Sequence, residues 1–121
     1  MARVLIIDDD AELRTSIEEV LRVAGHDVIG AGDGVQGVAL YRERRPDLVI
    51  TDIFMPEQDG LGVILELANE GGVKVIAMSG GGQHREYSVL ADARQFGALR
   101  LLQKPFGRDE LLATVNGVLS K

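Results

Sequence analysis

The chain is expected to fold as an α/β domain: a doubly wound, five-stranded parallel sheet in the order 2-1-3-4-5, covered by five helices. Three observations predict this. Short runs of branched apolar residues alternate with stretches of helical period along the 121 residues. The runs are apolar throughout rather than at every second position, which suits strands buried on both faces of a parallel sheet. Right-handed crossovers then leave few topologies, and this order is one of the two common doubly wound solutions.

Val4-Leu5-Ile6-Ile7 reads as the first strand and runs into Asp8-Asp9-Asp10. Leu13, Ile17, Val20, Leu21 and Ala24 recur on one helix face, with Glu12, Arg14, Glu18, Glu19 and Arg22 elsewhere. Gly25 stands where a helix C-cap belongs. Asp27 to Ala31 is the second strand. Val35 to Arg44 is the second helix, weakened in propensity by Gly34 and Gly37, and broken by Pro46. Asp47 to Asp52 is the third strand and ends in an acid. Leu61, Ile64, Leu65 and Ala68 give the third helix face, and Gly71-Gly72 the turn after it. Val73 to Ser79 is the fourth strand, followed by Gly80-Gly81-Gly82. A fourth helix is expected from about His84 to Phe96, ended by Gly97. Leu99 to Gln103 is a short fifth strand leading to Lys104-Pro105, and Leu111, Leu112, Val115 and Leu119 mark the last helix. The alternation is that of a flavodoxin-like fold.

Composition narrows the function. The length is that of one domain, 1–121, which buries roughly two-thirds of the surface its unfolded form exposes. Glycine, at 15 residues, is above average, yet glycine and proline together stay below the low-complexity range, so the glycines read as turns and close approaches. The net charge is −6, with no long basic run, which disfavours direct nucleic-acid binding. No cysteine is present, which excludes disulfides, thiolate metal sites and a thiol nucleophile. No apolar run approaches the ~20 residues of a membrane span, and a strand-like run begins by residue 4, where a signal peptide would lie. A soluble, cytoplasmic domain without membrane contact is the expectation.

In this fold, ligands bind beyond the carboxyl ends of the strands, where the chain order reverses between strands 1 and 3. Strand 1 ends in Asp8, Asp9 and Asp10, strand 3 in Asp52, strand 4 in Ser79, and strand 5 leads to Lys104. Two carboxylates about 4 Å apart repel by ~4 kcal/mol at an effective dielectric of 20. Such a cluster needs a cation, a proton or both. Oxygen ligands without His or Cys suit a hard cation, usually Mg²⁺ where a phosphoryl group completes the shell. A lysine adds fixed positive charge, and a serine hydroxyl can donate to an anionic oxygen. The set fits phosphoryl transfer, and one carboxylate could be the nucleophile.

Singly, each residue has an ordinary reading. Asp10 is read as the cap of the first helix. Ser79 alone would be a turn residue and Lys104 alone a surface lysine. His26 and His84 have no partner at ligand spacing and are read as solvated. Gly80 to Gly82 is no P-loop, because no Gly-Lys-Ser/Thr follows. The combination of strand ends carries the reading.

Asp8-Asp9 after an apolar strand, Asp52 followed by Met55-Pro56 and Asp59-Gly60, Ser79 after the fourth strand, and Lys104-Pro105-Phe106 resemble the receiver domain of two-component response regulators. The resemblance covers essentially the whole chain. It implies that Asp52 is the phosphoacceptor, served by a phosphohistidine on a sensor histidine kinase or a histidine phosphotransfer protein. It implies that Asp9, Asp52 and the backbone carbonyl of Phe54 hold Mg²⁺, with Asp8 acting largely through water. Lys104 would pair with the phosphoryl oxygens, and Ser79 would swing to hydrogen-bond one of them. The Lys104–Pro105 bond would be cis. Phosphorylation would reshape the face of the fourth helix, fifth strand and fifth helix for a downstream effector. Two positions depart from the pattern: Leu101 stands where the family commonly has an aromatic switch, and three glycines follow Ser79. The readout is therefore expected to run through loop and helix movement.

Rival readings fit less well. A Mg²⁺-dependent phosphohydrolase with an Asp nucleophile usually has a second Asp two residues on, where this chain has Phe54. A flavin carrier would need a hydroxyl- and amide-rich loop where three aspartates stand. A phosphorylation-independent, receiver-like interaction module would have no use for the intact acid set.

Overall fold

The computed structural model describes residues 2–53, 60–71, 73–80 and 97–120. Strands β1 (Arg3–Ile7), β2 (Asp27–Ala31), β3 (Leu48–Asp52), β4 (Lys74–Gly80) and β5 (Arg100–Lys104) form one parallel sheet, ordered β2-β1-β3-β4-β5. Its helices are α1 (Ala11–Val23), α2 (Gly34–Arg44), α3 (Gly60–Gly71) and α4 (Arg108–Leu119). The helix expected at His84 to Phe96 lies outside the described residues.

The two-residue period of the strands sorts their side chains into two cores. Leu5, Ile7, Val49, Val75 and Ala77 pack with Val38 and Tyr41 of α2 and with Val63, Ile64 and Leu67 of α3. Val4, Ile6, Leu48, Ile50, Ile76 and Met78 pack on the other face with Ile17 and Leu21 of α1 and Leu111, Val115 and Val118 of α4. Burial on both faces explains why the strands are apolar without alternation, and each buried aliphatic side chain contributes about 1.5–3 kcal/mol. No helix among the described residues is long and apolar enough to cross a membrane.

Local chemistry sets the boundaries. The Asp10 side chain caps α1 by accepting from the Leu13 N–H at 3.2 Å. At the other end Gly25 takes φ 98°; its N–H reaches the Arg22 carbonyl at 2.9 Å and the His26 N–H reaches that of Leu21 at 3.0 Å. These paired bonds satisfy carbonyls that the helix end would leave open. Asp33 caps α2. Gly37, poor in helix propensity, is there for packing: a Cβ at this position would lie 2.7 Å from Ile7 Cγ1, so only glycine lets α2 sit this close to β1. Four strands differ from expectation by one residue: β1 begins at Arg3 rather than Val4, β3 begins at Leu48 rather than Asp47, and β4 and β5 each lie one residue later at both ends. Just before β3, the Asp47 N–H donates to the Arg3 carbonyl and the Asp47 carboxylate accepts the Arg3 N–H, both at 2.8 Å. β5 includes Lys104, which stands in register with Gly80.

Candidate functional site

All four buried polar side chains among the described residues, Asp8, Thr51, Asp52 and Ser79, lie at the carboxyl edge of the sheet. Asp8 is the first residue past β1, and its N–H extends the pairing to the Ala31 carbonyl at 3.1 Å. Its Oδ1 accepts the Asp10 N–H at 2.9 Å. Asp52 is the last residue of β3, in register with Met78, and its carbonyl accepts the Thr51 hydroxyl at 3.1 Å. Ser79 belongs to β4, between β3 and β5. Lys104 ends β5, two strands from β3 and so about 10 Å away at the usual strand spacing. Only a long side chain spans that gap. The Lys104 Nζ lies 3.2 Å from Asp8 Oδ2 and 3.4 Å from Asp52 Oδ2.

Asp9 is exposed, yet one carboxylate oxygen from each of Asp8, Asp9 and Asp52 falls within 4.8 Å of the others. Among the described residues three carboxylates here face one ammonium, an excess of two negative charges. Burial pulls the Lys104 pKa down, but the charges of Asp52 and Asp8 and their hydrogen bonds pull it up by more, so it rises above lysine's ordinary 10.5. Lys104 therefore stays cationic at neutral pH, which suits it to hold acids or anionic oxygens. The donor set is carboxylate oxygen alone, closely spaced and partly buried, which fits a hard divalent cation. Beside Lys104 opens a cavity of about 450 Å³ lined by Asp10, Leu13, Lys104, Pro105 and Phe106.

The strand ends thus bring Asp8, Asp9, Asp52 and Lys104 together as expected, with Ser79 buried at the same edge. Phe54, His84, Gly81 and Gly82 lie outside the described residues. The Lys104–Pro105 bond is cis. Leu101 is partly buried against the core shared by α2 and α3. His26, read as solvated, is half-buried and accepts the Ala2 N–H on Nδ1 at 3.3 Å. Arg14, which the helical period assigns to a polar face, donates from Nη1 to the Asp8 carbonyl at 2.6 Å. Its signal in the sequence is faint: a glycine at position 30 inside a short strand.

Comparison with known proteins agrees with the geometry. The family model for the response regulator receiver domain matches residues 4–116. The chain is 38% identical over 120 residues to the chemotaxis protein CheY of Bacillus subtilis, covering 98% of each. It is 34% identical over 119 residues to the probable transcriptional regulator ycf27 of Porphyridium aerugineum, covering 98% of this chain and 48% of that one. The chain therefore spans about half the length of that longer relative. The solved receiver domain of NtrX from Brucella abortus superposes with a TM-score of 0.90 at 27% identity, over 98% of each chain. With the family model matched from residue 4 to 116 and a relative of equal length at 38% identity, the chain belongs to the response regulator receiver domains of two-component systems.

Proposed function

We propose that this receiver domain takes a phosphoryl group onto Asp52 from a phosphohistidine of a sensor histidine kinase or a histidine phosphotransfer protein. The observation that carries the reading is Lys104 Nζ held between Asp8 and Asp52 beside a third carboxylate. An Asp52 oxygen attacks phosphorus, and an acyl-phosphate bond forms. The P–N bond breaks with its electron pair kept by the imidazole, which takes a proton from solvent. Asp9, Asp52 and the Phe54 carbonyl would hold Mg²⁺, with Asp8 acting largely through water, and the ion would supply the charge neutralisation that the acids and the incoming phosphoryl oxygens need. Lys104 exchanges its Asp52 contact for a phosphoryl oxygen, and Ser79 donates its hydroxyl to another. The domain assists its own phosphorylation and dephosphorylation and turns over no separate substrate. The face that includes β5 and α4 is altered in turn and read by a downstream effector.

Incubation with Mg²⁺ and acetyl phosphate tests this. Intact mass should rise by one phosphoryl group in the wild type and stay unchanged in Asp52→Asn or with the metal chelated. Equal labelling of Asp52→Asn would place the acceptor elsewhere.

A further inference from the structure

Nothing in the proposed chemistry uses Arg14, yet it is among the most closely held charged residues of the molecule. Its Nη1 donates to the Asp8 carbonyl at 2.6 Å, and its Nε lies 4.0 Å from Oε2 of Glu18, one turn further along α1. Both side chains are largely buried, at 23% and 14% exposure. They lie across β2 at Gly30. A Cβ there would run into Glu18 Oε2 and would stand 3.2 Å from Arg14 Cδ and 3.3 Å from Nε. Glycine inside a strand is unfavourable unless another group must approach closely, and here the group is this pair.

The carbonyl that Arg14 holds belongs to the peptide joining Asp8 to Asp9. Among the described residues the exposed Asp9 carboxylate has no hydrogen-bond partner of its own, so the point from which it reaches is set by its backbone alone. That backbone is pinned on one side by the Asp10 N–H bond to Asp8 Oδ1 and on the other by the Arg14 bond to the Asp8 carbonyl. Arg14 spends its charge on a carbonyl and on Glu18, so it fixes the turn while leaving the Asp9 carboxylate open. We propose that Arg14, seated against Gly30 and braced by Glu18, is a positioning residue that sets the Asp8–Asp9 peptide and, through it, the spacing of the metal-holding carboxylates. This rests on the reading of the acid cluster as a Mg²⁺ site.

The sign of the effect separates this role from two simpler ones. Loss of a positive charge near an acid cluster, acting through space alone, tightens binding of a cation. A residue that serves only stability lowers the unfolding midpoint and leaves cation affinity where it was. Loss of positioning weakens affinity, and outer contacts that orient metal ligands typically carry 10–100-fold. The experiment is a calorimetric titration of the phosphate-free protein with Mg²⁺, run beside urea unfolding. Arg14→Met keeps the stem and removes the donors; its Mg²⁺ Kd should rise at least 10-fold. Arg14→Lys, which keeps one donor, should recover part of the loss. Gly30→Ala removes no donor but displaces the pair, and should weaken Mg²⁺ in the same direction. Arg22→Met, at the far end of α1, should stay within twofold of wild type. A Kd for Arg14→Met that is unchanged or tighter overturns the proposal, whatever the stability. Should Arg14→Met not fold, Arg14→Lys and Gly30→Ala decide by the same criterion. A wild type that does not bind Mg²⁺ overturns the underlying site reading instead, and the present inference with it.

Discussion

Each end of the sheet holds one cationic residue bonded to two aspartates, and the two arrangements differ in burial and in charge balance. At the amino end, Arg3 donates its backbone N–H to Asp47, its Nε to Asp27 and its Nη1 to the Arg44 carbonyl. The Arg3–Asp27 pair is 42% and 69% exposed. At the carboxyl end, Lys104 bridges Asp8 and Asp52, which are 0% and 8% exposed at their side chains, with Asp9 alongside. Cavity size does not separate the two ends: one of about 430 Å³, lined by Ala2, His26, Asp47, Lys74 and Leu119, opens at the amino end, against about 450 Å³ beside Lys104. Water screens the first set, and its guanidinium has one acid partner, Asp27, and one backbone carbonyl, that of Arg44. The second set is mostly buried, Asp9 excepted, and carries more acids than cations among the described residues. Burial combined with unbalanced charge sets the carboxyl end apart from the amino end.

The largest expected difference is the response to Mg²⁺. At a concentration 100 times its Kd, a cation that binds only the folded state adds about 2.7 kcal/mol of stability. Urea unfolding with and without Mg²⁺ should show that gain in wild type and in Asp27→Asn, and lose most of it in Asp9→Asn. A gain that survives Asp9→Asn would erase the distinction between the two ends.

Next in size is removal of the cation itself. Lys104→Met leaves Asp8 and Asp52 facing each other with little water, and should cost about 2 kcal/mol in the absence of Mg²⁺. Arg3→Met should cost at most about 1 kcal/mol, because its partners remain solvated. Equal losses in unfolding free energy would mean that burial does not set the contrast.

Alkaline pH offers a finer test. The folded pKa of Lys104 lies above the unfolded 10.5, so its contribution is complete below pH 10.5 and is lost as pH rises through the folded value. Stability profiles should therefore fall at the alkaline limit in wild type and in Arg3→Met, and that part of the fall should be missing in Lys104→Met. Smallest is the effect of salt. Raising NaCl to 1 M shortens the Debye length to about 3 Å and should remove the few tenths of a kcal/mol by which Arg3 exceeds Arg3→Met. The difference between Lys104 and Lys104→Met should change less; a larger salt loss at Lys104 would show that its surroundings are wet.

Much of this was legible in the residues. The strands could be read because both faces are buried, so Val4 to Ile7 and Leu48 to Ile50 carry no polar interruption. The site could be read because Asp8, Asp9, Asp52 and Lys104 all sit where strands stop. What resisted were contacts between elements. Gly37 counts against a helix until Ile7 is seen beneath it. Arg14 has the same spacing as any solvated helix residue, and its bond to the Asp8 carbonyl, its Glu18 partner and its burial separate it from the exposed Arg22. His26 looked free because its partner is a backbone N–H, a group no side-chain spacing reveals.

The Asp8–Lys104 bond joins residues 96 positions apart in the chain. During synthesis, Asp8 and Asp52 emerge and can pair their strands long before Lys104 is made. Contacts of such separation carry a large loop-closure cost and form late. A nascent chain from which β4 but not β5 has emerged would hold its acids together without their cation, and their repulsion is expected to keep that edge of the sheet loose. Arrival of β5 brings the neutralising charge and the final strand in one step. Charge balance at this edge is thus expected to report that the sheet is complete, and a chain cut before Lys104 should resist proteolysis far less than the full domain.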